Sequence, residues 1–135
     1  MVRSIVAVVG GFVLIGALNF ATLAILGRVA PEMFPPGQPV TEMAALLLTC
    51  GYVAVYGIGG CYVTARIAPS RPMLHALIVG ALGLAMSIPM AIQNWADAPA
   101  WFNLYNLLAV MPYAWLGGWL RERELVGAAN VAPAS

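Results

Sequence analysis

Four long runs of apolar residues alternate with short clusters of polar and helix-breaking positions along this chain. The first run, from about Ser4 to Gly27, carries no charge. The others extend from Met43 to Ala65, from Met73 to Gln93 and from Trp101 to Leu120. A bilayer core of about 30 Å needs roughly 20 apolar residues per helix, and each run reaches that length. The expectation is an all-α polytopic membrane protein, a four-transmembrane-helix bundle forming one domain over residues 1–135. Its helices lie near 4–27, 43–65, 73–93 and 101–120, with a Pro-rich outer loop at 28–42 and a short C-terminal tail at 121–135.

The boundaries have local causes. The segment RVAPEMFPPGQPVTE holds four prolines, which lack an N–H and disfavour a helical predecessor, so it reads as a partly extended loop. Thr41 is the expected cap of the second helix, with Glu42 beside the positive end of its dipole. Pro72 and Pro99 suit first turns, whereas Pro89 and Pro112 fall inside helices, where proline bends the chain. Trp95, Trp101 and Phe102 gather at one end of the last two helices and Trp115 and Trp119 at the other, the pattern of an interfacial aromatic belt. The first run is longer than a signal-peptide core, so it reads as a retained helix.

Composition strengthens this picture. Hydrophobic residues make up 62% of the 135 positions and charged residues 8%, against about 25% charged in soluble domains. Such a chain would expose apolar surface throughout if water were its solvent. Its net charge of +1 and lack of basic runs exclude a nucleic-acid surface. All six basic residues are Arg. With the N-terminus inside, Arg3, Arg66, Arg71, Arg121 and Arg123 fall on the cytoplasmic side and Arg28 alone falls outside. That asymmetry predicts an N-in/C-in orientation.

Small residues recur at helical spacing. Cys50, Ala54, Gly57 and Cys61 form one seam, and Ala76, Gly80, Gly83 and Ser87 another with the same spacing. Small seams let helices approach closely in lipid. Because APSRP joins these helices directly, they are expected to pack seam to seam. In the first helix, Gly10, Ala17, Ala21 and Ala24 form a similar face, with Asn19 pointing away from it. An amide facing lipid is costly, so Asn19 implies a second buried face or a contact with another subunit. Asn103, Asn106, Tyr113 and Gly117 share one side of the last helix. Asn19, Thr49, Ser87 and Asn106 lie at similar depth and are expected to form intramembrane polar contacts between helices.

Chemistry is sparse. Cys50 and Cys61 lie roughly 16 Å apart along one helix, too far to bond to each other, and read as buried small residues. His75 is the single histidine, and the sequence has no Ser–His–Asp set, no HExxH and no Cys–His metal spacing. No catalytic residue, metal or cofactor is therefore expected. Arg66, Arg71 and His75 gather near the cytoplasmic hairpin, where three donors suit a lipid phosphate or a partner's acidic loop.

GGCYVTARIAPSRPMLHALIVGALG, from Gly59 to Gly83, and PAWFNLYNLLAVMPYAWLGG, from Pro99 to Gly118, resemble a family of small bacterial four-helix membrane proteins of uncharacterised function. The resemblance spans the last three helices. It implies a multi-pass protein of the bacterial inner membrane and brings no activity with it. Four-helix multidrug exporters keep a membrane-embedded Glu, whereas no span here holds Asp, Glu, Lys or Arg. The functional expectation is a non-enzymatic structural or accessory subunit, or a lipid-interacting protein, whose partners are the bilayer, anionic lipid and a homo-oligomer or larger complex. The alternative is an oligomeric passive channel or carrier for a small uncharged solute. The first predicts a dry bundle and the second a polar cavity.

Overall fold

The computed structural model describes residues 2–131 and folds them into α1 (Val2–Val29), α2 (Met43–Ile67), α3 (Pro72–Gln93) and α4 (Ala100–Val131). Three of them, α1 to α3, are long and apolar enough to cross a membrane. α4 is also long, but Asn103, Tyr105, Asn106 and Tyr113 interrupt its apolar stretch. Its helix continues to Val131, into the segment expected to form a tail. Good helix formers and an Arg121–Glu124 ion pair one turn apart at 2.9 Å carry it on.

The caps differ in part from expectation. Pro72 opens α3, as its fixed φ favours. Glu42, rather than Thr41, occupies the N-cap of α2, with extended backbone and no side-chain cap. The loop before it is a series of turns that tuck Phe34 into the fold at 2% exposure. Between α2 and α3, Arg71 adopts φ 47°, an uncommon left-handed conformation for a residue with a Cβ. The following proline disfavours the right-handed helical region there.

The helices alternate in direction, so the bundle has two unlike ends. One, the turn end, holds the start of α1, the α2–α3 turn and the final turns of α4. The other, the loop end, holds the α1–α2 and α3–α4 connections. Both α1 and α4 pack on α2 and α3, and among the described residues their backbones do not approach one another closely. One core cluster lies at the turn end, formed by Cys61, Ala65, Ala76, Val79 and Ala114, while Phe34, Ala45, Leu46 and Cys50 are buried towards the loop end. There α3 buries no residue beyond Gly80. The loop-end half of α3 is thus the poorly covered part of the bundle.

Glycines bring the helices together at the turn end, through α4. A Cβ on Gly117 would lie 2.7 Å from the Cβ of Cys61, the carbonyl oxygen of Ile58 and the amide nitrogen of Tyr62. On the next residue, Gly118, it would lie 2.7 Å from Met73 Sδ and 3.2 Å from the Cβ of Ala76. Adjacent glycines therefore admit α2 on one side of α4 and α3 on the other. The two expected seams meet α4 instead of each other: Gly57 faces Tyr113, Gly80 faces Ala114 and Gly83 faces Val110. On α1, Gly11 lies against Thr64, and Ile15 covers Gly60. The buried stripe of α1 runs through Ala7 and Gly11, while Gly10, Ala17, Ala21 and Ala24 are exposed. The expected small face thus points outward, and Asn19 lies on the side of the bundle.

Candidate functional site

A cavity of about 470 Å³, partly open to the outside, runs from the turn-end core towards the loop end. All four helices line it. Phe12, Ile15, Gly16 and Asn19 come from α1, and Val53, Gly57 and Cys61 from α2. Val79, Gly80, Gly83, Ser87 and Met90 come from α3, and Phe102, Asn103, Asn106, Val110 and Tyr113 from α4. Along α3 the lining extends from Val79 to Asn94, roughly 22 Å at the rise of an α-helix. Gly57, Gly80 and Gly83 line its deep part, where each lies against α4. Asn94 and Ala98 form the mouth at the loop end.

Its walls are apolar apart from a band of amides and the hydroxyls of Ser87 and Tyr113. Each amide, and Ser87, spends a hydrogen on nearby backbone. Asn19 Nδ2 donates to the Ile15 carbonyl at 2.8 Å and Asn106 Nδ2 to that of Phe102 at 2.9 Å. Asn103 Nδ2 reaches the Ala98 carbonyl at 3.4 Å, and Ser87 Oγ donates to the Gly83 carbonyl at 2.8 Å. Only a nitrogen can donate to those carbonyls, so the amide orientations are set. The amide oxygens of Asn19, Asn103 and Asn106 make no bond to protein, yet no fully enclosed side-chain polar atom among the described residues lacks a partner. Those oxygens therefore reach open space.

The expected layer of hydrogen bonds between helices is absent among the described residues for these groups. Asn19, Thr49, Ser87 and Asn106 each bond the carbonyl four residues back. A helix interior offers that acceptor at no cost in helix geometry beyond a slight bend. Three of the four share the cavity, whereas Thr49 does not line it. Hydrogen bonds between helices come instead from Tyr56, Tyr105 and Tyr62. Thr22 and Tyr56 hydroxyls meet at 2.8 Å between α1 and α2. The Tyr105 hydroxyl donates to the Cys50 carbonyl at 3.5 Å and lies against the Tyr113 hydroxyl. Both cysteines are buried and free.

At the turn end, Arg66 and Arg71 are exposed, whereas His75 turns inward. His75 is 8% exposed, and its Nδ1 lies 3.1 Å from the Arg71 carbonyl. Its place on the inward side of α3, next to buried Ala76, explains this. Arg66 donates to the Tyr62 hydroxyl at 3.3 Å, which in turn donates to Glu124 Oε1 at 2.6 Å. Arg121 holds the other carboxylate oxygen at 2.9 Å. The Tyr62 hydrogen bond, followed by that from Arg121, lowers the Glu124 pKa. This network ties the end of α4 to α2. Arg123 lies 4.6 Å from the ring centre of Trp119, which stacks on Trp115.

No group of three or more His, Cys, Asp or Glu able to hold a metal occurs among the described residues. The cavity's chemistry is that of a binding site: an apolar wall, a few neutral hydrogen-bonding groups and no ionised side chain. Comparison with protein-family models, curated proteins and solved structures gives no match.

Proposed function

We propose that this chain is a multi-pass protein of the bacterial inner membrane that binds a small, uncharged, largely apolar molecule between its helices and catalyses no reaction on it. In this reading α4 is a fourth span and both termini are cytoplasmic. The cavity carries the proposal. All four helices build it, and no Asp, Glu, Lys, Arg or His lines it. A charged ligand would enter without a counter-ion, at a prohibitive cost of desolvation. Lipid interaction and passive carriage of an uncharged solute are two uses of one such site.

The topology rests on independent support. Arg residues concentrate at the turn end. The outward side of α4 is as apolar as its neighbours', with Leu108 72% exposed, and tryptophans mark both ends of its apolar stretch. The resemblance of the last three helices to small bacterial four-helix membrane proteins supports the same location. Exposed Arg66 and Arg71 favour contact with anionic headgroups at the turn end, without His75.

The accessory-subunit reading has one observation in its favour. Gly10, Ala17, Ala21 and Ala24 lie exposed on α1, a surface that a helix of a second copy or of another membrane subunit fits closely.

Native mass spectrometry of protein extracted from its own membrane tests the proposal. Wild type should retain an uncharged small molecule. Gly83→Phe, which projects into the cavity past Val110, should lose it. Equal retention, or none in wild type under extraction that preserves bound lipid, contradicts cavity binding.

A further inference from the structure

The polar groups of the cavity have an uneven balance of donors and acceptors. Each asparagine has committed one of its two N–H groups to the backbone, while its oxygen, with two lone pairs, is unused. Asn103 is the most telling, because it is only 6% exposed and still leaves its oxygen without a protein partner. Its oxygen is therefore open to whatever occupies the cavity. Asn103 and Asn106 lie on α4 within about 9 Å of the loop end, near the cavity mouth. Below them the walls are Val110, Val79 and Gly80. The lining runs roughly 22 Å along α3, a length that suits an elongated chain rather than a compact molecule.

On the reading that the cavity binds an uncharged molecule, we infer that its ligand is a single-chain amphiphile with a neutral hydroxyl head, the class of long-chain alcohols and monoacylglycerols. The hydroxyl donates to the asparagine oxygens and accepts from a spare amide N–H. The chain runs down the apolar part of the cavity towards Gly80. Ethers and esters of equal length accept hydrogen bonds but donate none, so they leave the oxygens bare. A fatty acid or a phosphate head brings a charge that nothing in the cavity answers.

The test is competition between 1-dodecanol and dodecyl methyl ether, supplied in equal amounts to detergent-solubilised protein and read by native mass spectrometry. Wild type should retain the alcohol roughly five- to tenfold over the ether, the range expected for one or two neutral hydrogen bonds. Asn103→Leu/Asn106→Leu should lose that preference and still retain the ether. Asn106→Leu alone, which alters a half-buried residue bonded only to its own helix, should reduce the preference if the double variant does not fold. Gly83→Phe should retain neither compound. No preference in wild type, or an unchanged preference in Asn106→Leu, overturns the inference. If the ether is still retained by wild type and lost in Gly83→Phe, cavity binding itself stands. Retention of neither compound by wild type overturns both.

Discussion

Gly117 of α4 rests against Cys61 of α2 so closely that a single added methyl would sit 2.7 Å from the Cys61 Cβ and equally near two backbone atoms of α2. Backbone cannot move aside as the tip of a side chain can. Gly117→Ala should therefore push α2 and α4 apart, at the roughly 1–3 kcal/mol typical of overpacking. Gly59→Ala on the same α2, with nothing within 4 Å of its new Cβ, should be neutral or stabilise by up to about 1 kcal/mol. Unfolding measured in mild detergent for both variants checks the pair. Equal effects would contradict the packing described.

The polar residues of the cavity should matter little to stability. Asn19, Ser87 and Asn106 each bond their own helix, so removing one breaks no tie between helices. Ser87→Ala and Asn106→Leu should each change unfolding free energy by less than about 1 kcal/mol. Tyr105→Phe removes a contact between α4 and the Cys50 carbonyl and should cost more than either. The reverse order, measured in the same detergent, would mean that the amides do bridge helices.

The α2–α4 tie at the turn end is sensitive to acid. The Tyr62 hydroxyl and Arg121 favour the ionised form of Glu124, so its folded pKa lies below the ordinary 4.5. A lowered folded pKa means that the stabilising contribution is fully present above the unfolded value and is lost as pH falls through the folded one. Amide exchange near residues 121–126 should thus quicken, beyond its intrinsic pH dependence, only below about pH 4.5. In Tyr62→Phe the Glu124 carboxyl should titrate closer to its ordinary value, as followed by carbon NMR. An unchanged titration would remove Tyr62 from the network.

Orientation is open to chemical labelling. Cysteines introduced at Gln38 and Ala98 should react with an impermeant thiol reagent from outside intact cells, and one at Ser70 should not. The native Cys50 and Cys61 are buried and add little background. Labelling at Ser70 would reverse the orientation and place the cavity mouth on the cytoplasmic side.

Much of the fold is legible in the chain, because helix length and the prolines at its breaks act locally. Met43 and Pro72 begin their helices where the pattern turns apolar. Packing partners are harder to read. The seams at Gly57 and Gly80 are visible as small residues, but their spacing does not reveal that α4 lies against both. On α1 the exposed small residues and the buried ones at Ala7 and Gly11 look alike in sequence, since lipid and a close helix both accept them. Asn19, Ser87, Asn103 and Asn106 stand out as intramembrane amides and a hydroxyl, yet their spacing does not reveal that they line one cavity, because that depends on how α1 and α4 sit on α3. His75 misled for a related reason: closeness to Arg71 in the chain did not mean that its ring faces the same way.

The most direct measurement is an experimental structure of the protein kept in its native lipids, at a resolution that reveals bound chains. Non-protein density is expected between Asn19, Ser87 and Asn106, with α1 and α4 standing apart around it. Close approach of α1 to α4, with side chains filling the space between those three residues, would contradict cavity binding.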